Sequence, residues 1–321
     1  MIMAALTMVG CSQNEIMEQN PDADKAIGFG VYTGVQTKGA ETTTTTLKGA
    51  GVGFGVVALK NDNSSVYMTE KNVTHNGSIW TYTPVAYWPA DGTALNFYSF
   101  APYNDADITK TSFETTNPTI GFKIKSSWGN MVDLVAAKNS NAVSNTQVSV
   151  QFKHVLTRIA FTANTSVSLE SGTTVAVTGL KLLGNTSLSG SCFYETGNYS
   201  ILNDSWSNEA ALSADYSVAL AGGSINITNT PVKLLGDNNY LFCIPVTSLQ
   251  TDKIKVEITY TITSNSVVST KTETVSIPAG HFAKGTAYTY AFTVNMKGIT
   301  FTVSEVIDSW STASSNLDFT A

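Results

Sequence analysis

Apolar and small or polar residues alternate between positions 27 and 36, which predicts a β-strand with one buried face. Successive side chains of a strand point to opposite faces, so every second residue lies on the same side. The row expected to point inward is Ile27, Phe29, Val31, Thr33 and Val35. Burial of this row stabilises the fold by about 10 kcal/mol at most. Whole domains have stabilities of about 5–15 kcal/mol.

The segments on either side of this strand are polar. Residues 12–25 precede it, and Lys38 lies in a stretch of small and polar residues that leads into five consecutive threonines at 42–46. A lysine in a solvated, extended segment is a suitable site for a trypsin-like protease. The pattern therefore predicts a strand that one cut at Lys38 releases. The alternative is an ordinary surface loop that carries a lysine.

Short alternating or apolar runs continue along the whole chain, and turn residues separate them. They cover residues 52–60, 79–82, 94–101, 119–125, 131–137, 147–153, 158–163, 175–183, 188–194, 239–245, 254–263, 267–277, 287–294 and 299–306. Strand follows strand at this spacing in β-sandwiches and barrels, and no helical pattern of ten residues intervenes. We expect an all-β fold of two tandem sandwich domains, residues 26–155 and 156–321.

Composition and charge limit the classes of partner that the chain is expected to bind. The chain has 42% hydrophobic and only 13% charged residues, a net charge of −6 and one arginine, Arg158. A nucleic-acid surface needs clustered lysine and arginine, so nucleic acid is excluded as an expected partner.

Candidate catalytic and metal-binding groups are sparse. His75, His154 and His281 have no neighbouring ligand at the spacing of a zinc site. Asp105 and Asp107 begin like a calcium loop that lacks its glycine and closing glutamate. We expect no enzyme activity, no metal and no cofactor.

The N-terminus indicates export. Residues 1–10 are apolar, uncharged and too short to span a bilayer, but they fit the hydrophobic part of a secretory signal. Cys11 follows directly in a context that resembles the lipobox of bacterial lipoproteins, with methionine at the usual leucine position. The basic start of a signal is missing, which suggests further residues upstream. We expect a signal-peptide remnant at 1–10, lipidation of Cys11 and a polar tether at 11–25. The alternative is an incidental cysteine.

Several motifs further along resemble the fimbrillin-like proteins, the pilus subunits of Gram-negative gut and mouth anaerobes. The resemblance covers nearly the whole chain and rests on motifs in the family's order. They are Tyr87-Trp88-Pro89, the aromatic strand 95–102, Asp133 to Ala136, Phe152 to Ile159, Ile244-Pro245, 285–290 and 299–310.

The resemblance implies two transthyretin-like Greek-key sandwiches, export as an outer-membrane lipoprotein and a place in a cell-surface fimbrium. It also implies that an outer protease removes the first strand and that a neighbouring subunit's strand fills the vacated groove. Lys38 would match the processing position, where shaft subunits usually carry arginine. The expected partners are other fimbrillin-like subunits as tip, shaft or anchor, the outer membrane through lipid, and a host surface or glycan.

The donor strand and two other points stay open. Ile299, Phe301 and Val303, then Leu317 and Phe319, alternate near the C-terminus and could supply the exchanged strand, or could form an ordinary last strand. Cys192 and Cys243 either pair or remain buried thiols. The rings of Trp80, Tyr82, Tyr87 and Trp88 are core residues or a glycan platform, and a monomeric glycan-binding lipoprotein is the alternative function.

Overall fold

The structure, a computed structural model, describes residues 25–32, 42–125, 127–144, 147–184, 193–211, 215–246, 253–295 and 298–304. Strands dominate these residues, and the helices among them are a single turn, α1 (Thr44–Leu47), and a 3-10 turn, Trp128–Asn130. The prediction of an all-β chain is confirmed.

The first strands belong to the N-terminal half of the chain. They are β1 (Phe29–Tyr32), β2 (Phe54–Lys60), β3 (Val66–His75), β4 (Trp80–Thr81), β5 (Leu95–Ala101), β6 (Ile108–Ser112), β7 (Thr119–Lys123), β8 (Val135–Ala142), β9 (Val148–Gln151) and β10 (Lys153–His154).

The remaining strands follow in the C-terminal half. They are β11 (Thr157–Thr165), β12 (Thr173–Leu183), β13 (Tyr194–Ser200), β14 (Ser205–Ala211), β15 (Tyr216–Ser217), β16 (Ile225–Ile227), β17 (Val232–Lys233), β18 (Leu241–Cys243), β19 (Lys255–Ser264), β20 (Val267–Ser276), β21 (Ala287–Asn295) and β22 (Gly298–Ser304).

A six-stranded sheet in the order β10-β8-β5-β2-β3-β4 forms the middle layer of the N-terminal half. Its central strands β2 and β5 are buried on both faces. Phe54 and Phe97 point into one apolar core, which also contains Ile27 and Phe29 of the first strand segment. Their neighbours on the opposite face, such as Val57 and Tyr98, belong to a second and larger core. A strand buried on both faces has a nearly continuous apolar sequence, as β2 and β5 do.

A four-stranded sheet combines strands from both halves. Its order is β14-β13-β7-β6, and β7 pairs antiparallel with β13 through residues such as Ile120 and Tyr199. The pairing crosses the predicted boundary between residues 155 and 156. The division into domains 26–155 and 156–321 therefore stays a prediction, and the two segments do not have separate sheets at this point.

Two five-stranded sheets make up the rest of the C-terminal half. In one, β11 lies parallel to β21, and β22 pairs antiparallel with β21 from Asn295↔Gly298 to Thr289↔Ser304. In the other, β12 and β19 pair over most of their length. Inward residues of both sheets, including Phe161, Phe292, Val177 and Tyr260, share the larger core. The transthyretin-like Greek-key topology stays a prediction.

Candidate functional site

The first strand segment lies in a groove between two separate parts of the N-terminal half. Its beginning pairs with residues 86–88, since Ile27 N donates to Ala86 O and Trp88 N donates to Lys25 O, both at 2.9 Å. Its second part, β1, pairs in parallel with β9. Two further bonds, from Val148 N to Gly28 O and from Phe152 N to Tyr32 O, are 2.8 Å long. The segment therefore connects two backbone edges that are not otherwise paired with each other in the described sheets.

The side chain of Phe29 fills an aromatic pocket at the floor of this groove. The ring is 2% exposed and meets three other rings edge-on, Phe54 at 5.8 Å, Tyr82 at 5.5 Å and Phe97 at 5.8 Å between centroids. Edge-to-face contacts at this distance are favourable beyond the area that they bury. Ile27 is equally buried and Val31 is half-buried, so these inward residues anchor the strand.

Two side chains of the groove bind the strand's backbone. The Tyr82 hydroxyl donates to Ile27 O at 2.7 Å, and Gln147 Nε2 donates to Phe29 O at 2.9 Å. Burial raises the pKa of Tyr82, which keeps the phenol protonated as a donor. Both contacts are made to backbone carbonyl groups, so they do not depend on the side chains of the strand.

The described structure resumes at Thr42, which forms a hydrogen bond to a buried pair of side chains, Asp133 and His154. Thr42 N donates to Asp133 Oδ2 at 2.8 Å, and the same oxygen lies 2.9 Å from His154 Nδ1. The side chains of Asp133 and His154 are 0% and 8% exposed. The sequence motifs around Asp133 and His154 indicated the family, but they gave no sign that these residues meet at Thr42.

The structure describes some of the predicted site residues and not others. Ile27, Phe29 and Val31 share one groove, whereas Thr33, Val35, Lys38 and Cys11 lie outside the described residues. Ile299, Phe301 and Val303 lie in β22, the last described strand of a C-terminal sheet, and Leu317 and Phe319 lie outside the described residues. In the single chain, residues 299–303 thus occupy the place of an ordinary last strand.

The polar groups considered for catalysis or metal binding have structural partners. Asp105 and Asp107 both contact Lys125 Nζ, at 2.9 and 3.2 Å. His75 packs on Trp80, and His281 is buried against two tyrosine rings. Within the described ranges, no three His, Cys, Asp or Glu side chains lie together as a metal site would require.

The remaining open residues are a cysteine and the aromatic cluster. Cys243 is buried, and burial raises the pKa of its thiol. Cys192 lies outside the described residues, so the pairing of the two cysteines stays open. Trp88 is buried, Trp80 and Tyr82 pack against the groove core, and Tyr87 is 43% exposed. This packing favours the interpretation of the cluster as core, and glycan binding stays a prediction.

Comparison with known proteins decides the family. A model of the fimbrillin-like family matches residues 29–310. The chain belongs to the fimbrillin-like family. This fimbrillin-like chain is 34% identical to fimbrium subunit Fim1C of Phocaeicola vulgatus, over 97% of the chain and 95% of the relative.

Solved structures agree with this assignment. A crystal structure of a fimbrial protein from Bacteroides vulgatus is similar with a TM-score of 0.74 and 28% identity, covering 89% of this chain and 100% of that one. A candidate cell adhesion protein from Bacteroides uniformis shares the fold at a TM-score of 0.50 and 15% identity, over 91% of this chain and 100% of its own. In the part of the fimbrillin-like chain that the structure describes, no helix has the length and apolar character to cross a membrane.

Proposed function

We propose that this chain is a structural and adhesive fimbrial subunit that assembles when its first strand is cut away and replaced by a strand from another subunit. The observation that carries the proposal is the position of residues 25–32. They bridge two backbone edges and fill an apolar groove, yet they precede Lys38 in a polar stretch of sequence. One cut there separates this segment from the rest of the chain.

Loss of the segment leaves a groove that favours a replacement. The Phe29 pocket loses its ring, and the amides of Val148 and Phe152 lose their acceptors in Gly28 and Tyr32. An unpaired strand edge next to an open apolar groove is a template for another chain. Addition of an extended segment restores both the hydrogen bonds and the buried area.

The C-terminal part of the chain contains two segments with the inward pattern of the first strand. Residues 27–31 read Ile-Gly-Phe-Gly-Val, and residues 299–303 read Ile-Thr-Phe-Thr-Val, with the same three side chains at alternate positions. Leu317 and Phe319, followed by Ala321, repeat the spacing with leucine in place of isoleucine and alanine in place of valine. In either case the phenylalanine would enter the Phe29 pocket. Donation by residues 299–303 requires β22 to leave β21, whereas residues 317–321 lie beyond that strand.

Export as a lipoprotein fits this mechanism and is part of the proposal. Acylation of Cys11 would hold the precursor at the outer membrane, because each buried methylene contributes about 0.8 kcal/mol. Release of residues 11–38 would then remove the lipid and the first strand in one step. The partners are other fimbrillin-like subunits, and the finished appendage lies at the cell surface.

A peptide-binding experiment tests the exchange and identifies the donor. The chain is cut at Lys38, its N-terminal fragment is removed, and labelled peptides of residues 25–36, 298–304 and 315–321 are titrated by fluorescence anisotropy. We expect residues 25–36 and one C-terminal peptide to bind and to compete with each other. Replacement of the central phenylalanine by alanine should weaken binding at least 100-fold, because a buried phenylalanine contributes about 3–5 kcal/mol.

The same titration can refute the proposal. If residues 25–36 bind again but neither C-terminal peptide competes, the groove accepts a strand, and the prediction that residues 299–303 or 317–321 donate it is wrong. If the core binds none of the peptides while remaining folded, strand exchange is wrong.

A further inference from the structure

The buried carboxylate of Asp133 connects the segment after the cut to the interior of the N-terminal half. Thr42 donates its backbone N–H to Asp133 Oδ2, and the Thr42 hydroxyl donates to the backbone carbonyl of Asp133. His154 Nδ1 lies within 3.0 Å of both carboxylate oxygens. A fully buried carboxylate is costly unless partners of this kind surround it. We refer to Thr42, Asp133 and His154 as the Thr42 anchor.

The two supporting residues of the Thr42 anchor are held independently of the first strand. Asp133 lies two residues before β8, and His154 is in β10, which pairs with β8 through Lys153↔Ala136 and His154↔Val135. Both strands belong to the six-stranded sheet, whereas the first strand pairs with β9 and residues 86–88. Removal of the first strand therefore breaks none of the pairs between β8 and β10, although Phe152 N, two residues before His154, loses its bond to Tyr32 O.

The residues directly after Thr42 enter the groove's own core. Thr43 caps helix α1 by accepting from Thr46 N, and the Thr46 hydroxyl accepts in return from Thr43 N. Leu47 at the end of this helix is fully buried in the same apolar core as Phe29. A helix of one turn has little stability of its own, so its position depends on the contacts at its two ends.

We propose that Asp133 and His154 are positioning residues that hold Thr42, helix α1 and Leu47 in place when the first strand leaves. Gly39, the first residue after the predicted cut, stands three residues before Thr42. The Thr42 anchor thus lies between the segment that leaves, which contains the first strand, and the chain from Thr42 onwards, which remains. The vacated space has the length of the first strand, and Leu47, which belongs to the same apolar core as Phe29, is already in place for the incoming strand. The inference rests on the proposed function for the departure of the strand.

Hydrogen exchange measured by mass spectrometry tests the anchor. Wild-type chain is compared before and after cleavage with a lysine-specific protease, or with a second protease whose site is inserted at position 38 if Lys38 is not cut. After the cut, peptides covering residues 25–32 should lose protection while peptides covering residues 42–47 keep it. In Asp133→Ala, residues 42–47 should exchange about tenfold faster or more in the cut chain, because a charge-assisted hydrogen bond has been lost.

Matched variants separate positioning from general destabilisation. Thr42→Ser keeps both donors and should behave as wild type. Asp107→Asn removes a carboxylate that pairs with Lys125 elsewhere, and it should leave the exchange of residues 42–47 unchanged. If Asp133→Ala does not fold, Thr42→Ala removes the hydroxyl contact to the Asp133 carbonyl from the Thr42 side and should show the same change to a smaller extent.

The outcomes also distinguish this inference from the proposed function. Equal loss of protection in residues 25–32 and 42–47 of the cut wild type would overturn the anchor, as would unchanged exchange in both Asp133→Ala and Thr42→Ala. The measurement is made on single cut chains before any assembly. Failure of these chains to form fibres would therefore count against strand exchange and leave the anchor standing.

Discussion

Replacement of Phe29 by alanine removes the side chain that anchors the first strand most strongly. The ring is almost fully buried and has edge-on contacts to three aromatic rings. Truncation of a buried phenylalanine costs about 3–5 kcal/mol, and the lost ring pairs place this site in the upper half of that range. We expect the intact chain to lose about 4 kcal/mol in its free energy of unfolding. With a denaturant slope near 3 kcal/mol/M, the urea midpoint falls by about 1 M or more.

The comparison of intact and cut chains makes this prediction specific. Phe29→Ala should lower the urea midpoint of the intact chain towards that of the core without residues 1–38, which no longer contains Phe29. The matched control is Phe113→Ala, since Phe113 is fully buried in the other core against Phe100. That variant should destabilise both forms. A loss below about 1 kcal/mol for Phe29→Ala in the intact chain would refute the account of the pocket.

Three further predictions concern the groove, the six-stranded sheet and the lipidation of Cys11. Tyr82→Phe keeps the ring contact and loses the bond to the Ile27 carbonyl and the longer bond from Ala86 N, so urea unfolding should show a loss of about 0.5–1.5 kcal/mol; an unchanged free energy of unfolding would contradict a role of the hydroxyl in holding the strand. Gly55→Ala places a methyl group 2.4 Å from the Phe100 ring, and thermal melts should show a loss of about 1–3 kcal/mol; an unchanged melting temperature would contradict this packing. Cys11→Ser should prevent fatty-acid labelling in cells and move the chain out of the membrane fraction, whereas retained label would disprove lipidation at Cys11.

The sequence predicted those elements whose burial leaves a local pattern. The first strand alternates large apolar residues with glycine because one face is buried, and β2 and β5 are nearly continuous in apolar residues because both faces are buried. By contrast, β3 was not predicted. Its ten residues bury only Met68 and Val73, and the others are polar or half-exposed. A strand that covers a core with two side chains does not differ from a loop in its composition.

Long-range pairing was not accessible from the sequence. The first strand pairs in parallel with β9, more than a hundred residues away, and β7 pairs with β13 across the predicted domain boundary. The Thr42 anchor has the same origin, because Asp133 and His154 meet only through the pairing of β8 with β10. Local periodicity specifies which face of a strand is buried, but the choice of neighbouring strand depends on the packing of the whole sheet.

The most direct test of strand exchange is limited digestion with a lysine-specific protease, followed by intact mass and size-exclusion analysis, with Lys38→Gln as control. The account predicts one cut after Lys38, which leaves a folded core without residues 1–38, and then a ladder of oligomers. Lys38→Gln should show neither the cut nor the ladder. A core that is cut at Lys38, loses its first strand and stays monomeric at high concentration would contradict the central claim.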